Sequence, residues 1–113
     1  SAASDVYKRQ AIEQLSAVTG RAFTTLHVLG GGTKDRLLCQ MTADCCGLTV
    51  KAGPVEATAL GNIMIQLKAL GVLDSITQGR RLIAETEVIK TYTPSTQNYA
   101  EWNAAYDRFK TLL

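Results

Sequence analysis

The run Leu26-His27-Val28-Leu29-Gly30-Gly31-Gly32-Thr33-Lys34-Asp35-Arg36-Leu37-Leu38 constrains this 113-residue chain more than any other stretch. Apolar residues lead without a spacer into three glycines, and an amphipathic helical pattern starts straight after them. That order predicts a strand, a turn bare of side chains and a helix N-terminus. Unpaired N–H groups at a helix start, together with the positive end of the helix dipole, favour a phosphate at such a turn. Glycine lets the phosphate approach the main chain because no Cβ stands in the way. A flexible link would carry spare residues between strand and helix, and none are present. Gly30, Gly31 and Gly32 are therefore a candidate nucleotide turn.

The flanking patterns extend this reading. Ala11 to Thr19 repeats Ile12, Leu15 and Val18 at helical spacing and stops at Gly20. Thr25 to Leu29 reads as the first strand. Thr33 to Cys46 reads as a helix with Leu37, Leu38, Met41 and Cys45 on one face, Thr33 as its N-cap and Gly47 as its end. Leu48 to Lys51 is β-rich and short, a second strand. Gly53-Pro54 opens a third helix, with Pro54 in its first turn and Leu60, Ile63, Met64, Leu67 and Leu70 at helical spacing. Gly61 inside it permits close packing on the sheet or close approach of a ligand, and packing is the plainer reading. Asp74 to Ile83 reads as a short helix and Glu87 to Thr93 as an extended or strand-like segment closed by Pro94. Thr96 to Leu113 reads as a terminal helix with Tyr99, Trp102, Tyr106, Phe109 and Leu113 packing on one side. Strand, helix, strand, helix with short connections implies parallel strands joined by right-handed crossovers. A parallel sheet usually continues for several strands, so an edge left by two strands is expected to pair with chain that precedes this segment.

Length and charge exclude several classes. The chain suffices for one small domain with a real core and not for two. Ser1 to Gln10 resembles the in-frame translation of a sequencing-library adapter, a tail expected to carry no fold information, which leaves 11–113 as the domain segment and suggests truncation on the N-terminal side. Without Lys8, Arg9 and Asp5, ten basic and nine acidic residues remain and the formal net charge falls from +2 to +1. No basic stripe points to nucleic acid or an anionic membrane as partner. No apolar run reaches spanning length. Cys39, Cys45 and Cys46 lack paired Cys-x-x-Cys spacing and a nearby second histidine, so neither a zinc site nor a disulfide framework is implied, and reduced thiols of a cytoplasmic protein are the plain reading. His27 reads as a packed or edge-facing strand residue. Asp44, in the last helical turn against the dipole, reads as solvated. Of Cys45 and Cys46, at most one faces a core. Asp107, Arg108 and Lys110 read as the wet face of the terminal helix.

One combination of motifs is specific. Gly30-Gly31-Gly32-Thr33-Lys34-Asp35-Arg36-Leu37-Leu38-Cys39-Gln40-Met41-Thr42-Ala43-Asp44, then Ala52-Gly53-Pro54-Val55-Glu56-Ala57-Thr58-Ala59-Leu60-Gly61-Asn62, resembles the C-terminal domain of the FGGY carbohydrate kinases. The later Thr91-Tyr92-Thr93-Pro94 strengthens a likeness to the branch acting on L-rhamnulose. The resemblance covers about residues 11 to 113. It implies an α/β fold, part of a ribonuclease-H-like (actin-like ATPase) domain with ATP and a small sugar bound between two domains. It also implies transfer of the γ-phosphoryl group to a ketose hydroxyl with Mg²⁺ in the cytoplasm. Other members acting on xylulose, ribulose or glycerol, or a non-catalytic nucleotide-binding or sugar-sensing module, share the fold. By position, Gly31 meets the nucleotide, Gly30 and Gly32 shape the turn, and Asp35 falls where relatives usually have an asparagine near the adenine. Some relatives carry two cysteines four apart on the following helix. Here Thr42 stands at the first position and only Cys46 matches, so that bridge cannot form. The resemblance places the catalytic aspartate, the sugar ligands and the N-terminal phosphate loop upstream, so no catalytic residue and no metal ligand is expected here and the chain alone is expected to be inactive.

Overall fold

Hydrogen bonding of two tetrapeptides, each with two apolar side chains, fixes the centre of the molecule, a computed structural model that describes residues 2–112. Strand β1 (Thr25–Val28) runs parallel to β2 (Thr49–Ala52), with Leu26 opposite Val50 and Val28 opposite Ala52. Parallel neighbours need a crossover, and helix α2 (Arg36–Cys46) supplies it. The sheet differs from the expected all-parallel one. A third strand, β3 (Lys90–Tyr92), lies antiparallel on the far side of β2, with Val50 opposite Tyr92. Glu87 to Thr93, read as extended or strand-like, holds this strand and makes the sheet mixed, ordered β1-β2-β3, and the outer edge of β1 has no strand partner among the described residues.

The face that α2 presents to the sheet also departs from the expected stripe. Cys39 and Ala43, one turn apart, are buried with Val50 and Ala52, and Leu26, Val28 and Tyr92 close the cluster. Leu37 is 70% exposed. Small residues let the helix lie close on the strands, which turns the bulky ones away from them.

Helix α1 (Ala2–Thr19) starts nine residues before the Ala11 predicted from periodicity and ends, as expected, at Gly20. Residues 2–10 are helical throughout. Asp5 and Val6 are buried, and Asp5 Oδ1 accepts Lys8 Nζ at 3.0 Å and Thr42 Oγ1 at 2.8 Å. Helix α3 (Ala57–Ala69) begins after Pro54, which follows a cis peptide and stands outside the helix rather than in its first turn. None of its residues is buried. Helix α4 (Ile76–Thr86) takes Ser75 as N-cap and seats the buried Gly79 directly against Met64 of α3. Helix α5 (Tyr99–Lys110) closes a second cluster, in which Tyr106 is buried with Val6 and Cys45, and Trp102 and Phe109 flank them. Tyr99 is 57% exposed, outside this stripe, and Leu113 lies beyond the described residues.

The radius of gyration is 16.8 Å, against about 13 Å for a compact 100-residue domain. The molecule is an open wedge, 53 × 30 × 20 Å. No described helix is long and apolar enough to cross a membrane.

Candidate nucleotide site

The glycine turn sits where the two parallel strands end, the position at which open α/β sheets receive ligands. β1 runs out at Val28 into Gly30–Gly32, and β2 runs out at Ala52 into Gly53-Pro54. Two bonds tie these loops together: Gly53 N donates to Val28 O at 2.9 Å and Gly30 N donates to Pro54 O at 3.4 Å. Gly30 has φ +82° and Gly53 φ +129°, values that L side chains rarely adopt. Gly53 also meets Val88 so closely that a Cβ would stand 2.7 Å from its carbonyl oxygen.

The turn does not pass straight into α2. Gly31–Lys34 form one turn of 3₁₀ helix, and Asp35 follows in an extended conformation before α2 begins. Thr33, predicted as the N-cap, is buried instead and donates its hydroxyl to Gly30 O at 2.7 Å. The cap is Asp35, whose Oδ1 accepts the Leu38 N–H at 2.9 Å. Aspartate is as good a cap as threonine, so its position three residues before Leu38 was the available signal. Cys39 supports the turn from beneath, its thiol donating to Gly32 O at 3.7 Å.

This arrangement leaves the N–H groups of Gly31 and Gly32 without an acceptor among the described residues. A Cβ on Gly30 or Gly31 would meet nothing within 4 Å. Gly31, Gly32, Lys34, Asp35 and Arg36 are all exposed. The structure brings Gly30, Gly31, Gly32 and Asp35 together within one six-residue segment.

Two cavities adjoin the sheet. One of about 620 Å³ lies between β1, the Gly53-Pro54 loop, α3 and α4, lined by His27, Leu29, Pro54, Gly61, Met64 and Arg80 among others. Gly61 faces this open space, and a Cβ on it would meet nothing within 4 Å. The tight helix-on-sheet contact expected of it is not formed. His27 is exposed on β1 and lines the same space, consistent with an edge-facing strand residue. The other cavity, about 410 Å³, is an apolar groove along the open edge of β1 beside α1 and α2, away from the glycine turn.

Asp44 corrects a further expectation. It is half-buried, and its Oδ1 accepts Gln40 Nε2 at 2.8 Å and the Ser95 N–H at 2.7 Å. Long-range pairing of this kind carries no sequence signal. Among the described residues, no group of three or more His, Cys, Asp or Glu side chains could hold a metal ion. Burial, and secondarily the Asp35 charge, pushes the Cys39 thiol up, which suits a packing role.

Comparison with known proteins bears on this site. The profile of the FGGY family of carbohydrate kinases, C-terminal domain, matches residues 6–70, more than half of the chain and all of the glycine turn. A rhamnulokinase of Bacteroides thetaiotaomicron is 47% identical over 105 residues, which is 93% of this chain and 21% of that protein. A rhamnulokinase of Enterobacter sp. (strain 638) is 41% identical over 98 residues, 86% of this chain and 20% of that protein. One of Klebsiella pneumoniae subsp. pneumoniae is 42% identical over 84 residues, 74% and 17%. The chain spans about a fifth of the length of these relatives.

Proposed function

The chain belongs to the FGGY family of carbohydrate kinases, as part of its C-terminal domain, and on that premise we propose that it is the nucleotide-side segment of an ATP-dependent kinase acting on L-rhamnulose. The reaction is transfer of the γ-phosphoryl group of ATP to a ketose hydroxyl, giving L-rhamnulose 1-phosphate, in the cytoplasm. The observation that carries the reading is the pair of open amides at Gly31 and Gly32, at the C-terminal ends of parallel strands in a chain of this family. The 41–47% identity to rhamnulokinases supports the choice of sugar.

In this proposal the Gly31 and Gly32 N–H groups hold phosphate oxygens, and the φ of Gly30 aims them. Asp35, fixed by its bond to Leu38 N, presents an acceptor-only carboxylate to the exocyclic amine of adenine. Phosphoryl transfer also needs charge neutralisation and a group to take the sugar proton. Bound Mg²⁺ would supply the first by neutralising the phosphate charge. The proton acceptor and the sugar ligands are assigned to the upstream chain, which makes the segment inactive alone. The reading of 1–10 as an adapter-derived tail and 11–113 as the domain segment belongs to the same proposal.

An ADP-release assay on the full-length parent and on the 113-residue chain, with L-rhamnulose, xylulose, ribulose and glycerol, tests it. Turnover is expected from the parent alone and fastest with L-rhamnulose. Turnover by the short chain, or a parent that binds no ATP, overturns the proposal.

A further inference from the structure

Gly53 lies outside the glycine turn and carries no side chain, yet three segments converge on it. It is buried, and its N–H donates to Val28 O at 2.9 Å. The carbonyl of Pro54, its neighbour, accepts the Gly30 N–H at 3.4 Å. The other hydrogen bonds of Gly30–Gly32 among the described residues stay within residues 30–39, so this one is the turn's tie to the loop after β2. The segment joining α4 to β3 also reaches Gly53. A Cβ there would stand 2.7 Å from Val88 O, 3.4 Å from Ile89 Cα and 3.5 Å from Ile89 Cγ1. The first of these separations is one that real Cβ atoms essentially never show, so a side chain at 53 obliges a neighbour to move.

On the nucleotide reading of the glycine turn, we propose that Gly53 is a positioning residue for ATP. Its bare Cα lets the α4–β3 segment and the turn close on the same point, and so sets where the Gly31 and Gly32 amides stand. The direction of a displacement follows from what holds each neighbour. Val88 O belongs to main chain that runs at once into β3, and β3 is held in register on β2, with Lys90 opposite Ala52 and Thr91 opposite Lys51. The 53–54 loop has no such ladder. Past Gly53 it makes the 3.4 Å bond to Gly30 and then enters α3 at Ala57. A Cβ at 53 therefore drives the loop away from Val88 and carries Pro54 O with it, and the tie to Gly30 lengthens or breaks. Displacing a positioned group by about 1 Å can cost on the order of 10²-fold. The sugar ligands are assigned outside this chain, so the displacement falls on the nucleotide and not on the sugar.

Steady-state kinetics of the full-length parent test this. Gly53→Ala should raise the KM for ATP at least about tenfold and leave the KM for L-rhamnulose within about twofold. Lost stability alone would lower the fraction of active enzyme, hence the apparent kcat, and move neither KM. Where Gly53→Ala fails to fold, Ile89→Ala decides. It opens a gap beside residue 53 without straining its backbone, and the KM for ATP should rise about threefold at an unchanged sugar KM. An unchanged KM for ATP in the folded variant, or an equal rise in both KM values, overturns the proposal. Gly31→Val in the same parent separates this from the nucleotide reading. If Gly31→Val weakens ATP binding and Gly53→Ala does not, the positioning role alone falls; if neither does, the nucleotide reading falls with it.

Discussion

Asp44 Oδ1 accepts the backbone N–H of Ser95 at 2.7 Å across 51 residues of sequence. Gln40, one turn earlier on α2, donates Nε2 to the same carboxylate oxygen and to Thr93 O, both at 2.8 Å. The polar side of α2 thus clamps the segment that carries the chain from β3 to α5. Hydrogen bonds to charged groups contribute about 1.5–3 kcal/mol, reduced here by partial exposure. Asp44→Ala is expected to cost roughly 1–2 kcal/mol in urea unfolding and to speed amide exchange at Ser95. Asp44→Asn keeps an acceptor and should lose less.

The glycine turn can be tested without disturbing the fold. A side chain at residue 31 has room, since nothing lies within 4 Å of its Cβ. In the full-length parent, Gly31→Val should raise the Kd for a non-hydrolysable ATP analogue at least tenfold with an unchanged melting temperature. Asp35→Asn keeps the cap on α2 and offers the adenine a donor as well as an acceptor, so analogue binding should tighten. Asp35→Ala loses the Leu38 bond and should cost α2 about 1 kcal/mol. Isothermal calorimetry and thermal unfolding read both effects.

Tyr106 makes stability depend on alkaline pH. Burial first, then the hydroxyl's bond to the Glu13 carboxylate and that group's charge, push its pKa from 10.0 up to about 12. The Arg9 guanidinium, 4.3 Å from the ring centroid, opposes the shift. A folded pKa above the unfolded one means the unfolded chain releases its proton first. The contribution of Tyr106 is therefore full below pH 10 and lost as pH rises towards 12. Urea midpoints measured across that window should fall, and Tyr106→Phe should flatten this part of the profile.

Two glycines should respond oppositely to alanine. Gly53→Ala places a Cβ 2.7 Å from Val88 O at a φ of +129°, and a cost of roughly 2–4 kcal/mol is expected. Gly61→Ala meets open space inside α3 and should stabilise the chain by up to about 1 kcal/mol. Chemical denaturation of the two variants side by side checks both signs.

The first two strands, the crossover helix between them and the glycine turn were legible because each rests on local order: apolar runs, helical spacing and turn residues within a few positions of one another. The role of Asp35 as cap was within reach on the same grounds, yet the intervening 3₁₀ turn, which shifts the start of α2 and turns Thr33 inward, was not. A single extra turn of backbone has almost no signature in composition. The face of α2 was misread for a related reason. Hydrophobic periodicity marks the largest apolar residues, whereas close contact with a sheet selects small ones, and Cys39 and Ala43 occupy that contact.

From the amino-acid sequence alone came the kinship, the glycine turn and the parallel β1–β2 unit, since all three depend on residues adjacent along the chain. Tertiary structure alone decided that β3 joins antiparallel, that Asp44 grips Ser95, and that Gly61 borders a cavity instead of a packed interface. Those outcomes are settled by which surfaces meet after the chain has folded back on itself. A polar side chain's partner 51 positions away, or the space left where no side chain arrives, is a property of that meeting and not of any local segment.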